Sequence, residues 1–219
     1  MKNLFFILGF ICLSAPAFAQ FSIGLSGGAN VSFPKWYLKE PLDFDLNYES
    51  QLGWRAAIMG QYQFSPLFAL RAEVASQMKA RKNYSTALPE GLKYSFKDKF
   101  HDWEGSLLLQ ISPLKKLQHA YLLAGCTAGQ YVRATSTVSG AVFAQDQDET
   151  RSIDLKNEAI NQNILALDFG LGYKIPVGAA NLLNIEARYQ YGVNNFATYE
   201  QVDAALNALV FNIGFSHLF

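Results

Sequence analysis

Two stretches place opposite charges two residues apart: Arg71 and Glu73 in LRAEVAS, and Glu186 and Arg188 in NIEARYQ. Residues i and i+2 of a strand share a face, so each pair points one way. With Arg55, Glu104 and Asp168 they form the strongest constellation of charge in the chain. Guanidinium and carboxylate groups held together fill space and hydrogen-bond at once; left open to water, the same set would pass protons or ions. Hydrolysis of a lipid needs a nucleophile with a base in reach. The histidines are His101, His119 and His217. Asp102 adjoins His101, but adjacent strand residues face opposite ways, so no Ser–His or Asp–His set arises and no catalytic residue is assigned. Asp146, Asp148, Glu149, Asp154 and Glu158 crowd one region. Their Asp-x-Asp spacing is that of calcium loops, yet the EF-hand glycine is missing; they read as a solvated acidic loop, with no metal and no cofactor. Trp36, Tyr37, Phe44 and Tyr48, with Pro34 and Pro41, suit contact with a protein, glycan or surface polymer, or packing on one another.

The elements that carry these residues alternate. Phe21, Ile23, Leu25, Ala29, Val31 and Phe33 fall on one face of the first segment, and Ser22, Gly24, Ser26, Gly28, Asn30 and Ser32 on the other. A period of two over a dozen residues is a strand with one apolar face. The pattern recurs at about Leu52–Phe64, Leu67–Lys79, Phe100–Ile111, Ile164–Ile175, Leu183–Val193 and Leu209–Phe219. Ala120 to about Thr135 is also strand-like, but both its faces are apolar or small and its register stays open. The connections run long, short, long, short, long, short, long, with Ser65-Pro66 and PVGAAN among the short ones and about 80–97 and 136–158 among the long. About eight strands of this length, with brief turns on one side and long loops on the other, describe an up-and-down membrane barrel with both termini on the periplasmic side.

The first 19 residues are expected to be a signal peptide: Lys2, an apolar run from Leu4 to Leu13, then Ala17-Phe18-Ala19. Phe10 and Ile11 before Cys12 do not make a lipoprotein site. Residues 20–219 are then a single barrel domain, and only Cys126 remains, so no intrachain disulfide forms. The formal charge balance is close to zero, which gives no electrostatic draw to nucleic acid.

A soluble lipocalin-type barrel also has eight antiparallel strands but turns its polar face outward. Here the polar face is rich in Gly and Ser, as a narrow interior requires. The apolar face carries Trp54, Tyr62, Trp103, Tyr173, Tyr189 and Tyr191 near strand ends, as an interfacial aromatic girdle would. Phe215, His217 and Phe219 have the pattern of the C-terminal signal that outer-membrane barrels present to their assembly machinery, with His217 where another apolar residue is usual.

FSIGLSGGANVSF, SPLFALRAEVASQ, DFGLGYKIP, LNIEARYQYG and the terminal Phe together resemble the PorT-like outer-membrane β-barrel family, over essentially all of residues 20–219. The resemblance implies a small closed barrel in the bacterial outer membrane; the family's named member belongs to a type IX secretion apparatus. The expected fold is therefore all-β, a closed eight-stranded antiparallel transmembrane meander. The expected role is non-enzymatic, structural or binding, through the outer loops, with outer-membrane lipid and the assembly machinery as partners. The alternatives are a secretion-apparatus subunit, a minor pore, or a lipocalin-like carrier. In an outer-membrane fraction the protein is expected to migrate as a compact band without heating and to shift on boiling; a soluble periplasmic protein without the shift would make it the carrier.

Overall fold

The computed structural model describes residues 20–38, 46–85, 94–112, 119–140, 149–156, 160–198 and 202–219. The expected signal peptide, Phe44, Asp146, Asp148 and Glu158 lie outside them. Alternation makes the described chain into strands: β1 (Gln20–Leu38), β2 (Leu46–Gln63), β3 (Phe68–Ser85), β4 (Tyr94–Ile111), β5 (Ala120–Gly140), β6 (Glu149–Ser152), β7 (Asn163–Val177), β8 (Asn181–Gly192), β9 (Asn195–Thr198) and β10 (Val202–Leu218).

Each long strand pairs antiparallel with the next, in the order β1-β2-β3-β4-β5-β7-β8-β10, and β10 returns to β1. That seam runs unbroken from Ser22 opposite Leu218 to Leu38 opposite Val202. The result is a closed eight-stranded antiparallel barrel; β6 adds to the end of β5 and β9 to the end of β10. At the turn end, Ser65 Oγ accepts the backbone N–H groups of Leu67 and Phe68 at 3.3 and 3.0 Å, fixing the bend between β2 and β3. Gly178, at φ 77°, supplies the left-handed residue that the β7–β8 turn needs.

The face assignment decides between membrane and soluble barrels. Leu25, Ile58, Val74, Leu171 and Ile213 point outward and are 58% to 64% exposed, whereas Arg55, Arg71, Glu73, Glu104 and Asp168 point inward and are 0% to 3% exposed. An apolar exterior around a polar interior is a barrel solvated by lipid, which overturns the lipocalin-like alternative. Trp54, Tyr62, Trp103, Tyr173 and Tyr189 are all exposed on the outer face. From Trp54 to Tyr62 along β2 is about 27 Å at the rise of an extended strand, enough to cross the apolar band with tilt.

Several boundaries move. The expected long connection at 80–97 is largely strand, since β3 continues to Ser85 and β4 begins at Tyr94. The expected connection at 136–158 loses its start to β5 and contains β6, and 195–198 form β9. Beyond the lipid no medium forces one face to be apolar, so these extensions lack a period of two. Phe64 falls just after β2, its ring stacked on Phe68 at 6.1 Å. The register of β5 is now fixed: Tyr121, Leu123, Thr127 and Tyr131 face in, and Leu122, Cys126 and Val132 face out.

Neighbouring strands approach too closely for a side chain at several glycines, Gly28 and Gly53 among them. A Cβ on Gly28 would run into the Phe211 carbonyl across the seam, and one on Gly53 into the Met78 carbonyl. Gly53 sits where the β2–β3 register shifts, and Asn30 Nδ2 donates to the Trp54 and Met78 carbonyls at 3.1 Å each. Gly28→Val should therefore remove most of the compact unheated species on a gel, while Gly27→Ala, whose Cβ would meet only the Arg55 carbonyl at 3.9 Å, should leave that band unchanged.

Candidate functional site

The inward face builds three levels, beginning at the turn end. Strands β2, β3, β4, β5 and β8 there bring Gln61, Arg71, Gln110, Tyr121 and Glu186 together. The Arg71 guanidinium donates to Gln61 Oε1 from Nε and Nη2 and to Gln110 Oε1 from Nη2, each at 3.2 Å, and to Glu186 Oε1 from Nη1. Tyr121 O–H donates to the same Glu186 oxygen at 2.5 Å. Leu108, Tyr121 and Leu123 form a small apolar cluster beside them.

One step outward, Glu73 is the hub. It accepts from Arg55 Nη2 at 2.9 Å and from Arg188 Nη1 and Nη2 at 3.0 and 2.9 Å. The i, i+2 neighbours do touch, Arg188 to Glu186 at 3.2 Å and Arg71 to Glu73 at 3.5 Å. The closer partners are crossed: Arg71 takes Glu186 and Arg188 takes Glu73, joining β3 to β8 across the lumen although those strands are not neighbours. Farther out, Lys79 Nζ lies 2.8 Å from Glu104 and 3.7 Å from Asp102, and Gln190 Nε2 donates to Glu104 at 3.0 Å. Thr127 Oγ1 donates to Asp168 at 2.5 Å and lies 2.6 Å from Ser106 Oγ.

Above this the interior turns apolar. Phe100, Tyr131, Ala134, Ile164, Phe196, Ala204 and Leu206 cluster inside the loop end, with Ile153 and Leu155 packed against them. Arg81 lies over the Phe100 and Phe196 rings, at 5.4 and 4.7 Å, and pairs with Asp98 at 2.9 Å.

All seven charges named from the sequence line this lumen, and five of them join one side-chain network, Arg55, Arg71, Glu73, Glu186 and Arg188, while Asp168 accepts from Thr127 and Glu104 is bound to Lys79. Lys79 and Asp102, which the period of two puts on the face of Glu73 and Glu104, are given no role by the sequence. Sequence reasoning missed Tyr121, because β5 showed no alternation, and it missed the cap around Phe100 and Phe196. The other candidates separate. His101 turns outward, its ring 6.4 Å from Trp54, while Asp102 is fully buried inside. His119 packs against Tyr173 at the turn end, the ring centres 5.8 Å apart and the planes tilted by 52°. His217 Nδ1 lies 2.8 Å from Asn181 Oδ1, and its ring meets Phe219 edge-on at 5.0 Å. Phe215 and Phe219 point outward. Trp36 and Tyr37 belong to β1 and Tyr48 to β2, so three of the four expected loop aromatics stand on strand extensions. Glu149 is held by Arg151 through bonds of 2.9 and 2.7 Å, which lower its carboxyl below the usual value, and Asp154 accepts the Lys156 N–H. The described residues contain no grouping of His, Cys, Asp and Glu suited to a metal ion.

No protein-family model matches the chain, and no curated protein matches it. Solved structures of similar outline include the outer membrane protein OprG of Pseudomonas aeruginosa (16% identity, TM-score 0.47, covering 90% of this chain and 95% of that one). Neisserial surface protein A gives 12% identity and a TM-score of 0.43, covering 91% of this chain and 97% of that one. The outer membrane protease OmpT of Escherichia coli gives 11% and 0.39, covering 92% and 96%. Likeness at this level leaves function to the geometry of the chain itself.

Removing one member of a buried ion pair strands the other, at a cost of about 3–5 kcal/mol. Glu73→Gln strips the shared partner from Arg55 and Arg188 and should destabilise the barrel by about that amount, read as a lower urea midpoint in lipid vesicles. Glu149→Gln, in a solvent-exposed pair, should leave the midpoint unmoved.

Proposed function

We propose that this chain is a non-enzymatic protein of the bacterial outer membrane, exported by residues 1–19, whose barrel is a closed anchor and whose work is done at its loop end. The observation that carries this reading is the filled lumen: an ion-paired middle beneath an apolar cap of Phe100, Tyr131, Ile164, Phe196 and Leu206. An eight-stranded interior is just wide enough for side chains to fill, and side chains fill this one. That argues against the pore reading, and His101 facing away from Asp102 argues against a lipid hydrolase. β3 and β4 extend past the aromatic belt to Ser85 and Tyr94, carrying the loop end well clear of the lipid. Trp36, Tyr37 and Tyr48, on the matching extensions of β1 and β2, remain the proposed binding residues, with Phe44 between them in sequence. Phe215, His217 and Phe219 are proposed as the segment read by the assembly machinery. The resemblance to PorT-like barrels favours a second reading, a subunit of a secretion apparatus, which would show itself as a stable complex with other envelope proteins after gentle solubilisation.

In planar bilayers the purified protein should give no stepwise conductance, and Arg71→Gln with Glu73→Gln should give none either. Steps in the wild type that change with that double substitution would make the protein a pore.

A further inference from the structure

Every cation of the described lumen but one is matched to a carboxylate. Arg55 and Arg188 bind Glu73, Arg71 binds Glu186, Lys79 binds Glu104, and Arg81 binds Asp98. Lys174, inward on β7 near the turn end, enters no ion pair: its Nζ lies 5.3 Å over the Tyr121 ring, whose hydroxyl is already given to Glu186. Lys174 is the cation left facing the turn end.

There the lumen opens into a vestibule of about 550 Å³, within the usual size range of small-molecule sites. Its wall is divided. Lys174, Gln63 and Gln110 offer charge and polar groups, and Leu67, Leu182 and Leu218 offer an apolar side. One cation suits a single negative charge better than a phosphate dianion, and the apolar side suits a carbon body better than a bare inorganic ion.

We propose that this vestibule binds a small organic monocarboxylate, its carboxylate on Lys174 Nζ and its apolar body against Leu67, Leu182 and Leu218. The site stands at the end opposite the loops and is independent of what the loops bind.

The test uses the full barrel in lipid nanodiscs, with 4-fluorobenzoate as probe and 4-fluorobenzyl alcohol as its uncharged counterpart, read by fluorine NMR line broadening. Binding of the benzoate should saturate, and the alcohol should bind about tenfold more weakly or worse, the loss expected when a charge-assisted contact is removed. Lys174→Met should weaken the benzoate by about the same factor and Lys174→Arg should retain it. Leu182→Trp, which keeps the cation and fills the apolar side, should abolish binding and serves also if Lys174→Met fails to give a compact, heat-shifting barrel. Equal binding of benzoate and alcohol, undiminished binding to Lys174→Met or Leu182→Trp, or equal broadening by empty nanodiscs would overturn the proposal.

Discussion

Lipid cannot hydrogen-bond a peptide group, so a strand in the membrane must find partners for its backbone on both edges. The continuous seam between β1 and β10 meets that demand, and everything else follows from it. Eight strands closed on themselves leave a bore too narrow for bulk water. A charge buried in the middle of that bore is costly unless another side chain pairs with it. The lumen's ion pairs are thus a consequence of closure, and Gly24 and Gly28 are seam positions where the β10 backbone comes too close for a side chain.

Burying charge is expensive even when it is paired, and an all-apolar filling would stabilise a barrel as well or better. What the charged filling adds is direction. Apolar side chains make contacts of little angular preference, whereas Arg188 meets Glu73 through two parallel bonds and Arg71 meets several acceptors at once. Because β3 and β8 are not neighbours in the sheet, their crossed pairs fix the distance across the bore, which hydrogen bonds along the wall do not set. The cross-section is held from within.

How far the sequence was legible follows from where lipid acts. Between the aromatic belts lipid requires an apolar residue at every second position, and there the strands, their facing and their inward charges could all be read. The fifth strand is the exception that explains the rule. Tyr121 and Leu123 pack with Leu108 inside while Leu122 faces lipid, so both faces are apolar and the alternation disappears. Past the lipid the constraint ends: Arg81, Lys82, Lys97 and Asp98 lie on strands that read as loop. The crossed pairing was illegible for another reason. A period of two says that Arg71 and Glu73 share a face, but which opposing carboxylate Arg71 meets depends on barrel tilt and register, which no local pattern contains. Phe196 stood in an apparent gap and became part of the cap because β9 returns along β10.

The two ends of the lumen differ in kind, and that difference orders the functional readings. The loop end is closed by aromatic and aliphatic side chains with Arg81 laid over two of the rings, so that solute has no wide route inward from that side. The turn end is open, its wall part apolar and part charged. A conducting barrel needs both ends accessible to the same water column. This one offers a surface at one end and a recess at the other, with a network of salt bridges between. The ion-paired middle holds its shape through its own bonds, so a side chain can change at either end without disturbing the other.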